Sequence, residues 1–184
     1  MFPMLIVALW GLGPDTTLGD DIVAYARSKV GQKVGNGECT SLAVDALRQC
    51  HARRPDPVLG IWGDEVKSLR DLQPGDILQF EDAIFVKQHV RGDGALLTLT
   101  SSYPHHTAIV ARVRKRRPKP VLVILHQNAR PAGDEDREFK VVREWTLEMA
   151  TQRGGSVKAY RPAAAADRPR LPQQPAEHPA RSRD

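Results

Sequence analysis

Aromatic residues supply only 5% of this 184-residue chain, cysteine occurs twice, and the longest apolar run is the thirteen-residue opening MFPMLIVALWGLG. That run is too short for a bilayer span, which needs about 20 residues as a helix, so stable membrane insertion is not expected. Two cysteines exclude a disulfide-built scaffold. On one helix, Cys39 and Cys50 would stand about 16 Å apart at 1.5 Å of rise per residue, beyond bridging range. The sequence has no Cys-x-x-Cys pair and no His-Glu-x-x-His helix. A zinc site drawn from Cys39, Cys50, His51, His105, His106 and His126 would fit no common template, so neither metal nor cofactor is expected. Fourteen glycines and fourteen prolines exclude a helical bundle and favour a loop-rich mixed fold.

Charge of one sign is also unevenly spread. The formal net charge of +5 is concentrated in Arg112-Val113-Arg114-Lys115-Arg116-Arg117-Pro118-Lys119 and in the arginines after Ala166. Lying between two apolar runs, the first cluster reads as a solvated hairpin turn, and no nucleic-acid partner is expected. The opening run looks like the core of a secretory signal without its basic leader. It points to a secreted or periplasmic protein, with a buried N-terminal strand in a cytoplasmic chain as the alternative. Beyond Pro162, AAAADRPRLPQQPAEHPARSRD offers nothing to bury. The expected organisation is therefore an apolar segment over 1–18, one folded unit over 19–162 acting as a monomer, and a disordered Pro/Arg-rich tail over 163–184.

Within the folded unit, Ile22, Val23, Ala26 and Val30 share one helical face of the segment from Asp20 to Lys33. A glycine-rich break, Val34-Gly35-Asn36-Gly37, precedes a second helix from Cys39 to Cys50, which presents Leu42, Ala43, Ala46 and Leu47. Leu72-Gln73-Pro74-Gly75-Asp76 is a turn signal opening a strand at Ile77–Phe80. Further strands are predicted over Ile84–Lys87, Ala95–Thr100, Thr107–Val113, Val121–His126, Glu138–Val142 and Val157–Tyr160, with a short helix over Leu147–Thr151. This order defines an α+β fold, N-terminal helices packed on a small antiparallel sheet.

Three places can carry chemistry. Cys39 opens a helix behind a glycine-rich loop, where the positive helix end favours a thiolate and backbone amides can approach an oxyanion. Glu38 beside it works the other way, since a carboxylate facing the sulfur raises its pKa. His106, in Pro104-His105-His106-Thr107-Ala108-Ile109-Val110, enters an apolar strand where a general base would sit. His126-Gln127-Asn128 closes the next strand. His126 or Asn128 would orient the imidazole, and alternation puts Gln127 on the opposite face. Trp62 and Tyr103 read as packing residues, and Asp76 as a turn residue.

Gly37-Glu38-Cys39-Thr40, Pro74-Gly75-Asp76, His106-Thr107-Ala108-Ile109-Val110 and His126-Gln127-Asn128 resemble, in order, landmarks of the papain-like CHAP and NlpC-type amidases and peptidases. A glutamate of the CHAP pattern is replaced by His126, as in the NlpC-type enzymes. Over residues 20 to 162, Gly37–Cys39, Pro74–Phe80, Pro104–Val110, Leu125–Asn128 and Tyr160–Pro162 resemble more extensively the cysteine-proteinase-fold domain of fungal actin-patch scaffold proteins. The first resemblance implies a thiol hydrolase of amide or peptide bonds, with Cys39 as nucleophile, His106 as base, His126 or Asn128 in support, and peptide or peptidoglycan as substrate. The second implies a peptide-binding or scaffold domain that keeps the fold without turnover.

Overall fold

The computed structural model describes residues 16–129 and 139–166. The apolar opening up to residue 15, most of the C-terminal tail and the start of the strand expected at Glu138 lie outside the described residues.

Helix α1 spans Leu18–Ser28 and α2 spans Cys39–Gln49. The first begins at a reciprocal cap: Thr17 accepts from the Asp20 amide, and the Asp20 carboxylate accepts from the Thr17 amide. The Tyr25 hydroxyl donates to Asp45 and ties the two helices together. The strands are β1 (Asp64–Glu65), β2 (Ile77–Val90), β3 (Leu96–Arg114), β4 (Val121–His126), β5 (Arg143–Glu148) and β6 (Gln152–Arg161). They form one antiparallel sheet in the order β1-β6-β2-β3-β4-β5.

Some expected boundaries move. The strands expected at Ile77–Phe80 and Ile84–Lys87 are one continuous strand, as are Ala95–Thr100 and Thr107–Val113, because β2 and β3 pair along their length from Ile77↔Ile109 to Val90↔Leu96. Val142 makes only an isolated bridge to Val30, and the strand starts at Arg143. The expected helix over Leu147–Thr151 shrinks to a 3-10 turn at Met149–Thr151. Neither Cys39 nor Cys50 is in a disulfide.

The sheet is buried on both faces near its centre. Ile77, Ile109, Ala111, Val123 and Leu125 pack against Ile22, Leu42, Ala46 and Leu47 of the helices. On the opposite face Leu78, Phe80, Tyr103, Ala108, Val110 and Ile124 form a second core, closed by Leu72 and Met149. Burying apolar side chains on both faces, each contributing about 1.5–3 kcal/mol, removes the hydrophobic/polar alternation that usually tells one face of a strand from the other.

Two closures hold the halves together. At the Pro74-Gly75 turn, Gly75 has φ +87°, and a Cβ there would lie 2.3 Å from the Cα of Gly19, so the turn rests directly on the first turn of α1. One residue on, the buried Asp76 carboxylate accepts from Arg161 Nε at 3.0 Å and Arg161 Nη2 at 3.0 Å, and from the Gln73 amide at 2.8 Å. Arg161 Nη2 also donates to the Asp71 carbonyl at 2.7 Å. Asp76 therefore locks the start of β2 to the end of β6. Arg161→Ala should lower unfolding stability by about 2–3 kcal/mol, since it strands a buried carboxylate, and Arg161→Lys should recover less than half by losing the two-pronged geometry. Chemical denaturation of the three proteins measures this.

Candidate functional site

The loop before α2 is held from inside by one buried amide. Gln127, just past the end of β4, accepts from the Val34 N–H at 3.1 Å and donates through Nε2 to the carbonyls of Val34 at 3.0 Å and Glu38 at 2.7 Å. Gly37 takes φ +86°, and a Cβ there would press within 3.1 Å of both Lys140 and Lys33. Asn36 closes the turn by accepting from the Glu38 amide and the Ser41 hydroxyl. These contacts set Cys39 at the first position of α2, half-buried.

Around the Cys39 sulfur, the backbone N–H groups of Thr107, Thr40 and Cys39 itself direct hydrogen bonds that favour a thiolate. Burial outweighs them and, together with the Glu38 carboxylate, pushes the thiol pKa up. The Glu38 carboxylate is in turn held by Asn128 Nδ2 at 2.7 Å and Lys140 Nζ at 3.2 Å.

The two predicted histidines are brought together, on the other face of the sheet. His106 Nε2 and His126 Nδ1 are 3.1 Å apart, and the rings pack beside Phe80, Tyr103 and Trp145. Thr107 and Gln127, their neighbours in sequence, face the helices instead. Among the described residues no hydrogen bond joins Cys39 to His106 or His126. Burial pushes His106 down to about 3, helped by the charges of His126 and His105. Burial and the Arg143 charge push His126 down to about 4. At neutral pH the pair is thus two uncharged imidazoles, one donating a single N–H to the other.

Asn128 does not meet the imidazole. It has φ +58° beyond the end of β4, so the alternation that would align it with His126 has already stopped, and its amide serves Glu38. The sheet face toward Cys39 instead carries residues that sequence reasoning passed over. Buried Gln79 accepts at Oε1 from Trp62 Nε1 and from Thr107 Oγ1, each at 3.0 Å. Its Nε2 lies 3.4 Å from the ring of His105, which also approaches Glu81 at 3.8 Å. Trp62 and Tyr103 are buried packing residues, the former bonded to Gln79 and the latter stacked in the second core. The only advance signal for Gln79 was a glutamine in an otherwise apolar strand start.

A cysteine at the head of a helix, packed through that helix on an antiparallel sheet whose third and fourth strands bear the histidines, defines the papain-like cysteine-proteinase fold. The chain belongs to the AIM3/BBC1 cysteine proteinase-fold domain family, whose model matches residues 14–168. It is similar to "Altered inheritance of mitochondria protein 3" of Debaryomyces hansenii, with 30% identity over 164 residues, covering 80% of this chain and 16% of that protein. No solved structure matches. This kinship overturns the expectation of a secreted or periplasmic protein: the relative is fungal and named for the inheritance of mitochondria, organelles inside the cell.

Two outcomes follow from the site geometry. Gln127→Ala leaves the Val34 N–H without its partner and takes one of two donors from each of the Val34 and Glu38 carbonyls, which keep the Gly37 and Ser41 amides; it should cost about 1–3 kcal/mol in denaturant unfolding and speed hydrogen exchange at the Val34 amide. The histidine pair sets a pH dependence. Folded pKa values of about 3 and about 4 lie below the ~6.5 of an unfolded histidine, so the unfolded chain takes up protons first as the pH falls. Their stabilisation is complete above pH ~6.5 and is lost as the pH falls toward their folded values. The unfolding midpoint should drop between pH 7 and 5, and a His106→Leu/His126→Leu double variant should flatten that slope; an unchanged slope would assign it to other groups.

Proposed function

We propose that this chain is a binding domain of an intracellular scaffold protein, one that keeps the cysteine-proteinase fold and uses the surface beside the half-buried Cys39 to hold a peptide segment without cutting it. The observation that carries this reading is the separation of thiol and imidazoles. Cysteine hydrolysis needs a thiolate beside a group that can take and return a proton. Here the thiol is raised by burial and by Glu38, while His106 and His126 spend their facing nitrogens on each other. The kinship to a fungal protein much longer than this chain supports the same reading, since the matching part is 16% of that relative and the rest of it lies outside the cysteine-proteinase-fold match.

The half-exposed His105 and Glu81 side chains, backed by buried Gln79, offer polar groups to an extended peptide backbone. A second reading, thiol-dependent hydrolysis of an amide or peptide bond by Cys39 with His106 as base, has one observation in its favour. The three N–H groups directed at the sulfur are the donors that a thiolate or an oxyanion needs. Turnover by that route requires His106 to leave His126 and reach the sulfur.

Alkylation of Cys39 by iodoacetamide, in a Cys50→Ser background and across a pH series, separates the readings. The binding reading expects a slow reaction at pH 7, with a rate midpoint above that of an ordinary thiol, and unaltered peptide binding by Cys39→Ser. A midpoint below neutrality that shifts upward in His106→Ala would establish the hydrolase pair instead.

A further inference from the structure

Between β3 and β4 the chain turns through a basic segment that the Cys39 site does not use. The turn encloses a groove of about 370 Å³, within the size range that holds small ligands or a side chain. Four cations line it: Arg70, Lys115, Arg116 and Arg117, all exposed. No carboxylate lines the groove, and among the described residues none lies within ion-pairing distance of these four. The Glu148 carboxylate, across the sheet from Val121, is already held by Lys87 Nζ at 2.5 Å. Arg112, Arg114 and Lys119, also exposed, add to the same field.

The floor is not basic. Leu69 and Val113 pack half-buried against the second core, and Pro120 is buried beside them. Uncompensated like charges around a concave apolar floor repel one another and attract an anion, while the floor rewards an apolar group placed among the charges. A nucleic-acid backbone or a flat bilayer surface would use the cations alone and leave the floor empty.

We propose that this groove docks an extended acidic segment of a partner protein, with one apolar side chain seated on Leu69, Val113 and Pro120 and flanking Asp or Glu residues paired with Arg70, Arg116 and Arg117. The groove lies at the Val121 end of β4, whereas Gln127, just past the His126 end, holds the Glu38 carbonyl next to Cys39, so the two surfaces can be occupied independently.

The test is fluorescence anisotropy of the whole chain with a labelled peptide of four glutamates around a central phenylalanine, at low and at physiological salt. Three further probes are an all-glutamate peptide, a double-stranded DNA oligomer and phosphatidylserine vesicles. The peptide should bind, should weaken with salt, and should bind about tenfold more weakly to Arg116→Glu/Arg117→Glu, whose fold is checked by circular dichroism. Arg112→Glu/Arg114→Glu, off the groove lining, should weaken binding severalfold less. The all-glutamate peptide should bind severalfold more weakly than the phenylalanine-bearing one. Absence of peptide binding, equal binding of the two peptides, or preference for DNA or vesicles would overturn the proposal.

Discussion

Much of the molecule depends on the side-chain amide of Gln127. It is buried where strand β4 gives out, and its three hydrogen bonds to the backbone of Val34 and Glu38 fasten the sheet to the loop that launches α2. A glutamine suits this place because one side chain carries an acceptor and two donors, and the loop presents one N–H and two carbonyls that each have room for a second donor beside the Gly37 and Ser41 amides. With the loop pinned, α2 starts at Cys39, and the helix carries Leu42, Ala43, Ala46 and Leu47 onto the sheet. The position of the thiol is thus a consequence of polar satisfaction in the loop rather than of packing by the cysteine itself.

The same constraint separates the site into two halves. Gln127 and Thr107 point toward the helices, so His126 and His106, next to them along the strands, point into the second core. There the imidazoles satisfy each other and shed their charge, because ionising either ring in an apolar setting costs more than its neighbours return. What remains near the sulfur is a set of backbone donors, Thr107 with its hydrogen bond to buried Gln79, and the Glu38 carboxylate.

Asp76 and Arg161 play a comparable part at the other end of the sheet. Each belongs to a short sequence motif, Pro74-Gly75-Asp76 and Tyr160-Arg161-Pro162, and the motifs have a shared structural cause: a buried carboxylate at the start of β2 requires the guanidinium at the end of β6. The glycine before Asp76 is needed for the close approach of α1. None of this bears on chemistry at Cys39, which explains how such motifs can accompany the fold with or without turnover.

The sequence by itself determined the α+β class, the two helices, the turn at Pro74-Gly75, the strands at Ile77 and Val121, and the helix-head position of Cys39. These features are local: helical spacing, a glycine-rich break and turn chemistry act over a few residues. It also singled out His106, His126 and Asn128, but not their directions. Near the centre both faces of β3 and β4 are buried, so hydrophobic alternation could not say which face meets the helix, and a left-handed residue at Asn128 ended the alternation one step early. Which of two adjacent histidines shares the face of Gln79, and which glutamine holds the loop, was decided only by the tertiary structure, because those choices depend on the pairing of Gln79 with Thr107 and on backbone groups supplied by residues far away in the chain.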